Sequence, residues 1–297
     1  MPCFKGRVCN ARRADGVTFL ILCVVWLAGS WARAEDYPHL LLGNPSDAKE
    51  DAAEKNNFLM KKKYFALSYN SKMGTPNWVS WHLTKEDQGD APRKRLFDTD
   101  TALPQGFTLI SHKDYVGSGF DRGHMCPHSD RAADEESSFA TFIMTNIIPQ
   151  APNVNQKAWD QMESYCRELT TKHRRLYIVA GPAGSGGRGS HGFRTSIANG
   201  KVTVPSLCWK IVVVVPDSGA DDVAKINENT RVIAVMMPND NSVGLEWAQF
   251  RTSIDEIEKK TGLNFLTSLP DQQLARSLKD DVDEVPIPQP VAIHHGE

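Results

Sequence analysis

The residues best suited to chemistry lie between Gly119 and His128, where the chain reads Gly-Phe-Asp-Arg-Gly-His-Met-Cys-Pro-His. Asp121, Arg122 and His124 place a carboxylate, a phosphate-suited guanidinium and an imidazole base within four positions. Such a set fits general-base catalysis beside an anionic substrate, and it equally fits a capped turn with a surface ion pair. His124, Cys126 and His128 alternate along the chain, so on a strand they would share a face, and all three residue types bind zinc.

A second stretch, Thr145-Asn-Ile-Ile-Pro-Gln150, is followed by Asn155, Trp159 and Glu163. On an α-helix, the eight-residue spacing of Asn155 and Glu163 leaves them about 80° apart. A carboxamide and a carboxylate turned the same way suit a hard cation such as Mg²⁺, which prefers oxygen and keeps several waters. The glycine-rich run Gly181 to Gly192 lacks the GxxxxGK[ST] phosphate-loop pattern and is expected to be a flexible surface loop. No GxSxG nucleophile elbow occurs.

These residues need elements to position them. Strand-like patterns are expected at Tyr64 to Tyr69, Trp78 to Leu83, Phe142 to Ile148, Leu176 to Ala180, Val202 to Val215 and Arg231 to Met237. A helix is expected from Asn153, capped with Gln156, to about Lys172, with Trp159, Met162, Cys166 and Leu169 at helical spacing. Another should begin at Ser253 and stop at Gly262. Strand pairs interrupted by helices, without βαβ alternation, indicate an α+β fold. Residues 84 to 107 form a charged excursion holding Arg93, Lys94 and Arg95.

The full chain of 297 residues carries 34 Lys and Arg against 36 Asp and Glu. Its formal net charge of −2 provides no general basic field for a polyanion, so any such partner must be gripped locally. Residues 1–34 read as a cleaved secretory signal: Lys5, Arg7, Arg12 and Arg13 precede an apolar run from Val17 to Gly29 and an Ala-Arg-Ala cleavage site. Secretion or periplasmic export follows, without stable membrane association, and a mitochondrial presequence is the alternative. Residues 35–60 read as a lead-in, 61–275 as one catalytic domain and 276–297 as an acidic, proline-containing disordered tail. Removal of the signal would leave Cys126, Cys166 and Cys208, enough for one disulfide and a free thiol.

Together, Asp121-Arg-Gly-His124, Thr145 to Gln150, Asn155, Gln156, Trp159 and Glu163 resemble the DNA/RNA non-specific endonucleases, the endonuclease G-like ββα-metal nucleases. The likeness runs from about Tyr64 to Leu269, including Phe65 to Tyr69, Val204 to Lys210 and Arg231 to Asn239. It implies a ββα-metal (His-Me finger) nuclease fold, with central antiparallel sheets flanked by helices. It also implies a Mg²⁺-dependent enzyme, served by Mn²⁺ as a substitute, that hydrolyses DNA and RNA without sequence specificity to 5′-phosphate ends. By resemblance, His124 is the general base and Asn155 the direct metal ligand, with Glu163 acting on the metal through water. Arg95 steadies the phosphate, with Arg93 two residues away as the competing choice.

Arg122, Asp121 and Asn146 are assigned to the substrate side, Asp121 and Asn146 by orienting neighbours. The same arrangement would bring Cys126 and Cys166 together as a disulfide, and relatives form homodimers. Other readings of the same residues are an inactive nucleic-acid-binding module and a zinc hydrolase centred on His124, Cys126 and His128.

Overall fold

The computed structural model describes residues 37–218 and 222–287. The expected signal segment and the last ten residues lie outside that range. In chain order come β1 (Phe58–Lys61), β2 (Ala66–Asn70), β3 (Thr75–Leu83) and β4 (Asp121–His124). Then follow α1 (Glu135–Ala140), β5 (Ile147–Gln150), α2 (Asp160–Thr170) and β6 (Arg174–Ala183). Short strands β7 (Gly187–Gly189), β8 (Gly192–Arg194), β9 (Ser196–Ile197) and β10 (Val202–Thr203) lead into β11 (Leu207–Pro216). The chain continues through β12 (Val232–Pro238), β13 (Arg251–Thr252), α3 (Ile254–Thr261) and α4 (Gln272–Asp280).

A seven-stranded sheet in the order β1-β2-β3-β6-β11-β12-β13, antiparallel at every pairing, forms the middle layer. Its interior strand β11, Leu-Cys-Trp-Lys-Ile-Val-Val-Val-Val-Pro, is buried on both faces, which is why it reads as a continuous apolar run. Cys208, Val212 and Val214 pack with Met162, Cys166 and Leu169 of α2. Trp209, Ile211, Val213 and Val215 pack on the other side with Ile254 and Ile257 of α3 and Leu278 of α4. Period-two alternation therefore sends the one charged residue in this run, Lys210, toward α2. The α+β expectation holds.

Both flanks of the expected domain are folded. Residues 35–60 are more than a lead-in: the Tyr37 hydroxyl donates to Lys62 O at 2.8 Å and Phe65 O at 2.9 Å. Trp78 Nε1 donates to Ser46 Oγ at 2.8 Å, and β1 pairs with β2. The expected disordered tail is likewise corrected over residues 276–287. There α4 completes its helix, and Asp283, 5% exposed, takes a bidentate bond from Arg231 at 2.8 Å. Arg251 adds a contact to Asp283 at 3.3 Å and donates to Val285 O at 2.8 Å. Composition registered the acids and prolines of this segment, but its basic partners lie on distant strands.

Ser253 caps α3 by accepting from Glu256 N–H, and Gly262 ends it at φ +72°, as the sequence indicates. The helix after Pro152 departs from expectation. Val154–Trp159 is a π-helical turn leading into α2, and Asn153 makes no capping bond. Asn153 is instead held by Asn241, whose Oδ1 accepts from its N–H at 3.0 Å and whose carbonyl accepts from its amide.

Candidate active site

β4 and β5 form a short ribbon in which Asp121 faces Gln150 and His124 faces Ile147. Alternation puts Arg122 and His124 on one side and Asp121 on the other. Gly123 between them is a packing requirement, since a Cβ there would lie 2.2 Å from Gln150 Oε1. Past His124 the chain turns, and Asn146 holds the turn. Cys126 N–H donates to Asn146 Oδ1 at 3.0 Å, and Asn146 Nδ2 donates to Cys126 O at 2.8 Å and Thr141 O at 3.0 Å. With 0% exposure, Asn146 cannot touch a substrate, so its place on the substrate side reduces to orienting this turn.

His124 is 8% exposed, its ring centroid 5.1 Å from that of Phe97 and 4.8 Å from that of Phe142. The Arg93 guanidinium stands over Phe142 at 5.2 Å and that of Arg122 over Phe97 at 5.3 Å. Two cations thus sit on the aromatic pair that packs the imidazole. Burial, aided by the charges of Arg93 and His128, lowers the His124 pKa to about 3. The ring is neutral at physiological pH, and among the described residues its Nε2 has no hydrogen-bond partner.

Arg93, Phe97, Gly117, Asp121, Arg122 and Asn155 line one open cleft beside this packing. Arg93 is one of two arginines lining it, with Arg122. Arg95 is exposed and does not line the cleft. Asp121 Oδ2 accepts from Asn155 Nδ2 at 2.8 Å and Gln156 Nε2 at 2.7 Å. Asp121 therefore orients the carboxamide, and the Asn155 carbonyl oxygen is left for the cleft. Asn155 belongs to the π-helical turn, a feature that recurs at functional sites.

Glu163 does not itself line the open cleft, and its carboxylate pairs with a buried lysine. Its Oε1 lies 3.4 Å from Nζ of Lys210, and their side chains are 11% and 1% exposed. The Lys210 ammonium also stands 4.3 Å from the Trp159 ring centroid. Burial raises the Glu163 pKa to about 7 against the downward pull of Lys210. Lys210 went unassigned in the sequence, although a lone charge inside an apolar run is itself a signal that a buried partner exists.

The Cys126–Cys166 disulfide is corrected. Both residues belong to the same core cluster, as expected, but all three cysteines there are buried free thiols. Burial pushes the Cys166 thiol up to about 12 and Cys126 higher still. Among the described residues no three His, Cys, Asp or Glu side chains converge as a metal site, so His124, Cys126 and His128 form no zinc centre. A hard cation that keeps most of its waters requires only one or two protein oxygens, and the presented Asn155 carbonyl meets that need.

Two short strands and a following helix, bringing an imidazole, two guanidiniums and a carboxamide together beside an antiparallel sheet, define a ββα nuclease. The chain matches the DNA/RNA non-specific endonuclease family over residues 43–272. It belongs to that family and is a nuclease. It is 44% identical over 245 residues to a nuclease of Nostoc sp., covering 82% of this chain and 86% of that one. It is 34% identical over 217 residues to the mitochondrial nuclease EXOG of Danio rerio, covering 70% of this chain and 61% of the relative. A solved EndoG/EndoGI complex shares the fold at a TM-score of 0.62 and 24% identity, covering 77% of this chain and 90% of that one.

Proposed function

We propose that this nuclease is a Mg²⁺-dependent endonuclease that cleaves DNA and RNA backbones without sequence preference and leaves 5′-phosphate ends. The observation that carries the proposal is the meeting of Arg93, Arg122 and Asn155 in one cleft beside the buried, neutral His124. A neutral imidazole takes the proton of the attacking water without first losing one of its own. Arg93 and Arg122, fixed over aromatic rings, hold the phosphate oxygens by charge-assisted bonds. A bound phosphate also offsets the Arg93 charge that helps depress the His124 pKa, so proton affinity rises as substrate arrives.

Asn155 would hold Mg²⁺ or Mn²⁺ directly and Glu163 through water, and the ion would supply stabilisation of charge developing on the phosphate and the leaving 3′ oxygen. No base reader is required, because phosphate contacts carry no sequence information. The protein acts outside the cytoplasm after export, with mitochondrial import as the alternative that the mitochondrial relatives favour. N-terminal sequencing of the exported protein distinguishes the two.

Plasmid DNA and RNA digested in Mg²⁺, in EDTA and with His124→Ala test the chemistry. Cleavage should vanish in EDTA and fall at least ~100-fold in the variant, which keeps its fold. Fragments should need phosphatase treatment before 5′ labelling by a kinase. Cleavage in EDTA, or near wild-type activity of the variant, refutes the mechanism.

A further inference from the structure

The Gly181 to Gly192 run is a fixed arm where a flexible loop was expected. β7 and β8 pair Gly187 with Arg194, Arg188 with Phe193 and Gly189 with Gly192. Its base is tied down by bonds from Gly186 N–H to Val204 O at 2.8 Å, Arg188 N–H to Asn239 O at 2.9 Å and Asn241 N–H to Arg188 O at 2.8 Å. Its tip is tied to the loop that walls the cleft. Ser190 N–H donates to Gly119 O at 2.9 Å, and His191 Nδ1 lies 3.2 Å from Gly117 O, a cleft-lining residue. A Cβ on Gly189 would stand 2.3 Å from Gly119 O, so the glycine here permits close backbone contact.

This arm carries Arg188, Phe193 and Arg194 at its surface and no carboxylate between Gly187 and Arg194. Phe193 is 54% exposed; its ring lies against Gly186, where a Cβ would come within 2.5 Å of Cζ. Among the described residues the arm's ion pair is the loose one from Arg188 to Asp240 at 3.6 Å. An exposed aromatic ring on a hairpin flanked by guanidiniums, its tip bonded to the loop that walls the cleft, has the makeup of a stacking platform for unpaired bases.

We propose that the β7–β8 hairpin is an auxiliary site for single-stranded DNA or RNA leaving the cleft, with Phe193 stacked on an unpaired base and Arg188 and Arg194 on the flanking phosphates. The inference rests on the nuclease reading of the cleft. Every base has a π face, so the arm adds affinity without base selection. It also provides local grip to a chain whose overall charge offers none.

The test compares wild type, Phe193→Ala, Phe193→Trp and Arg194→Ala as full chains. Substrates are a tetranucleotide, a single strand of about 20 nucleotides and a blunt duplex of equal length. Phe193→Ala should weaken binding and raise KM for the long single strand about 5- to 20-fold, and Phe193→Trp should restore both. The tetranucleotide, too short to span cleft and arm, should be cleaved equally by both Phe193 variants and wild type. Arg194→Ala should reduce the salt slope of single-strand binding by about 0.7.

Unchanged binding by Phe193→Ala, or equal losses on single strand and duplex, overturns the proposal, as does equal loss on the tetranucleotide. Fluorescence anisotropy in EDTA reads the arm independently of cleavage. An inactive wild type that still shows the Phe193 effect would therefore refute the cleft mechanism and not the arm.

Discussion

Replacing Lys210 by Met tests the buried pair beneath the active site. Methionine keeps most of the apolar stem but removes the ammonium 3.4 Å from Glu163 Oε1 and 4.3 Å from the Trp159 ring. In wild type the Glu163 pKa is raised from 4.5 to about 7. Its favourable contribution is therefore fully present below 4.5 and is lost as pH rises through 7, a swing of about 3 kcal/mol. Loss of Lys210 removes the downward pull, so Glu163 must either protonate at higher pH or remain an uncompensated charge.

Near pH 8 the variant should be destabilised by about 2–3 kcal/mol, a fall of about 5–10 °C in Tm for a domain of this size. Near pH 5 Glu163 is protonated in both proteins, so the Tm difference should shrink toward zero. If Glu163 acts as a carboxylate, kcat at neutral pH should also fall about 10- to 100-fold and recover at higher pH. Calorimetry with initial rates across pH checks both. Equal Tm losses at the two pH values would mean that Lys210 acts through packing alone and would refute the ion-pair reasoning.

Arg93→Ala should lower kcat/KM about 10- to 100-fold, whereas Arg95→Ala should stay within about three-fold; the reverse order would restore Arg95 to the site. In NMR titration of the unliganded protein, His124 should remain neutral to well below its ordinary 6.5. Its depressed pKa means that its stabilising contribution is present above 6.5 and lost as pH falls toward 3; a midpoint near 6.5 would contradict the burial argument. Asp283→Ala leaves Arg231 and Arg251 without their shared carboxylate and should lower stability by about 2–3 kcal/mol, read by urea unfolding; no change would mean that the C-terminal segment is not a structural latch. Intact mass spectrometry after alkylation under denaturing, non-reducing conditions should find Cys126, Cys166 and Cys208 all as thiols. A mass deficit of two hydrogens, with two of the three unlabelled, would reinstate a disulfide.

Local signals were legible where the cause is local. The Ser253 cap, the Gly262 stop and the apolar run of β11 follow from residues adjacent in sequence, and they stand where expected. Asn153 failed as a cap because Asn241, 88 residues away, binds it first. The glycine run failed as a flexible loop because its glycines admit the backbone of Gly119. Asp283 is ordered because its arginines arrive from β12's leading edge and β13, partners that no composition window contains.

The sequence supplied the candidates: His124 with Arg122 and Asp121, and Asn155 with Glu163 on one following helix. Residue type and short spacing marked them out, and the resemblance to the non-specific endonucleases gave them their expected roles, since the same types also fit a capped turn with a surface ion pair. Tertiary structure decided which arginine reaches the cleft, that Asn146 is internal, that Glu163 has a buried lysine for a partner and that the three cysteines are buried free thiols. Each depends on burial and on distances between segments remote in sequence, and these are set when the sheet, α2 and the β4–β5 ribbon pack together.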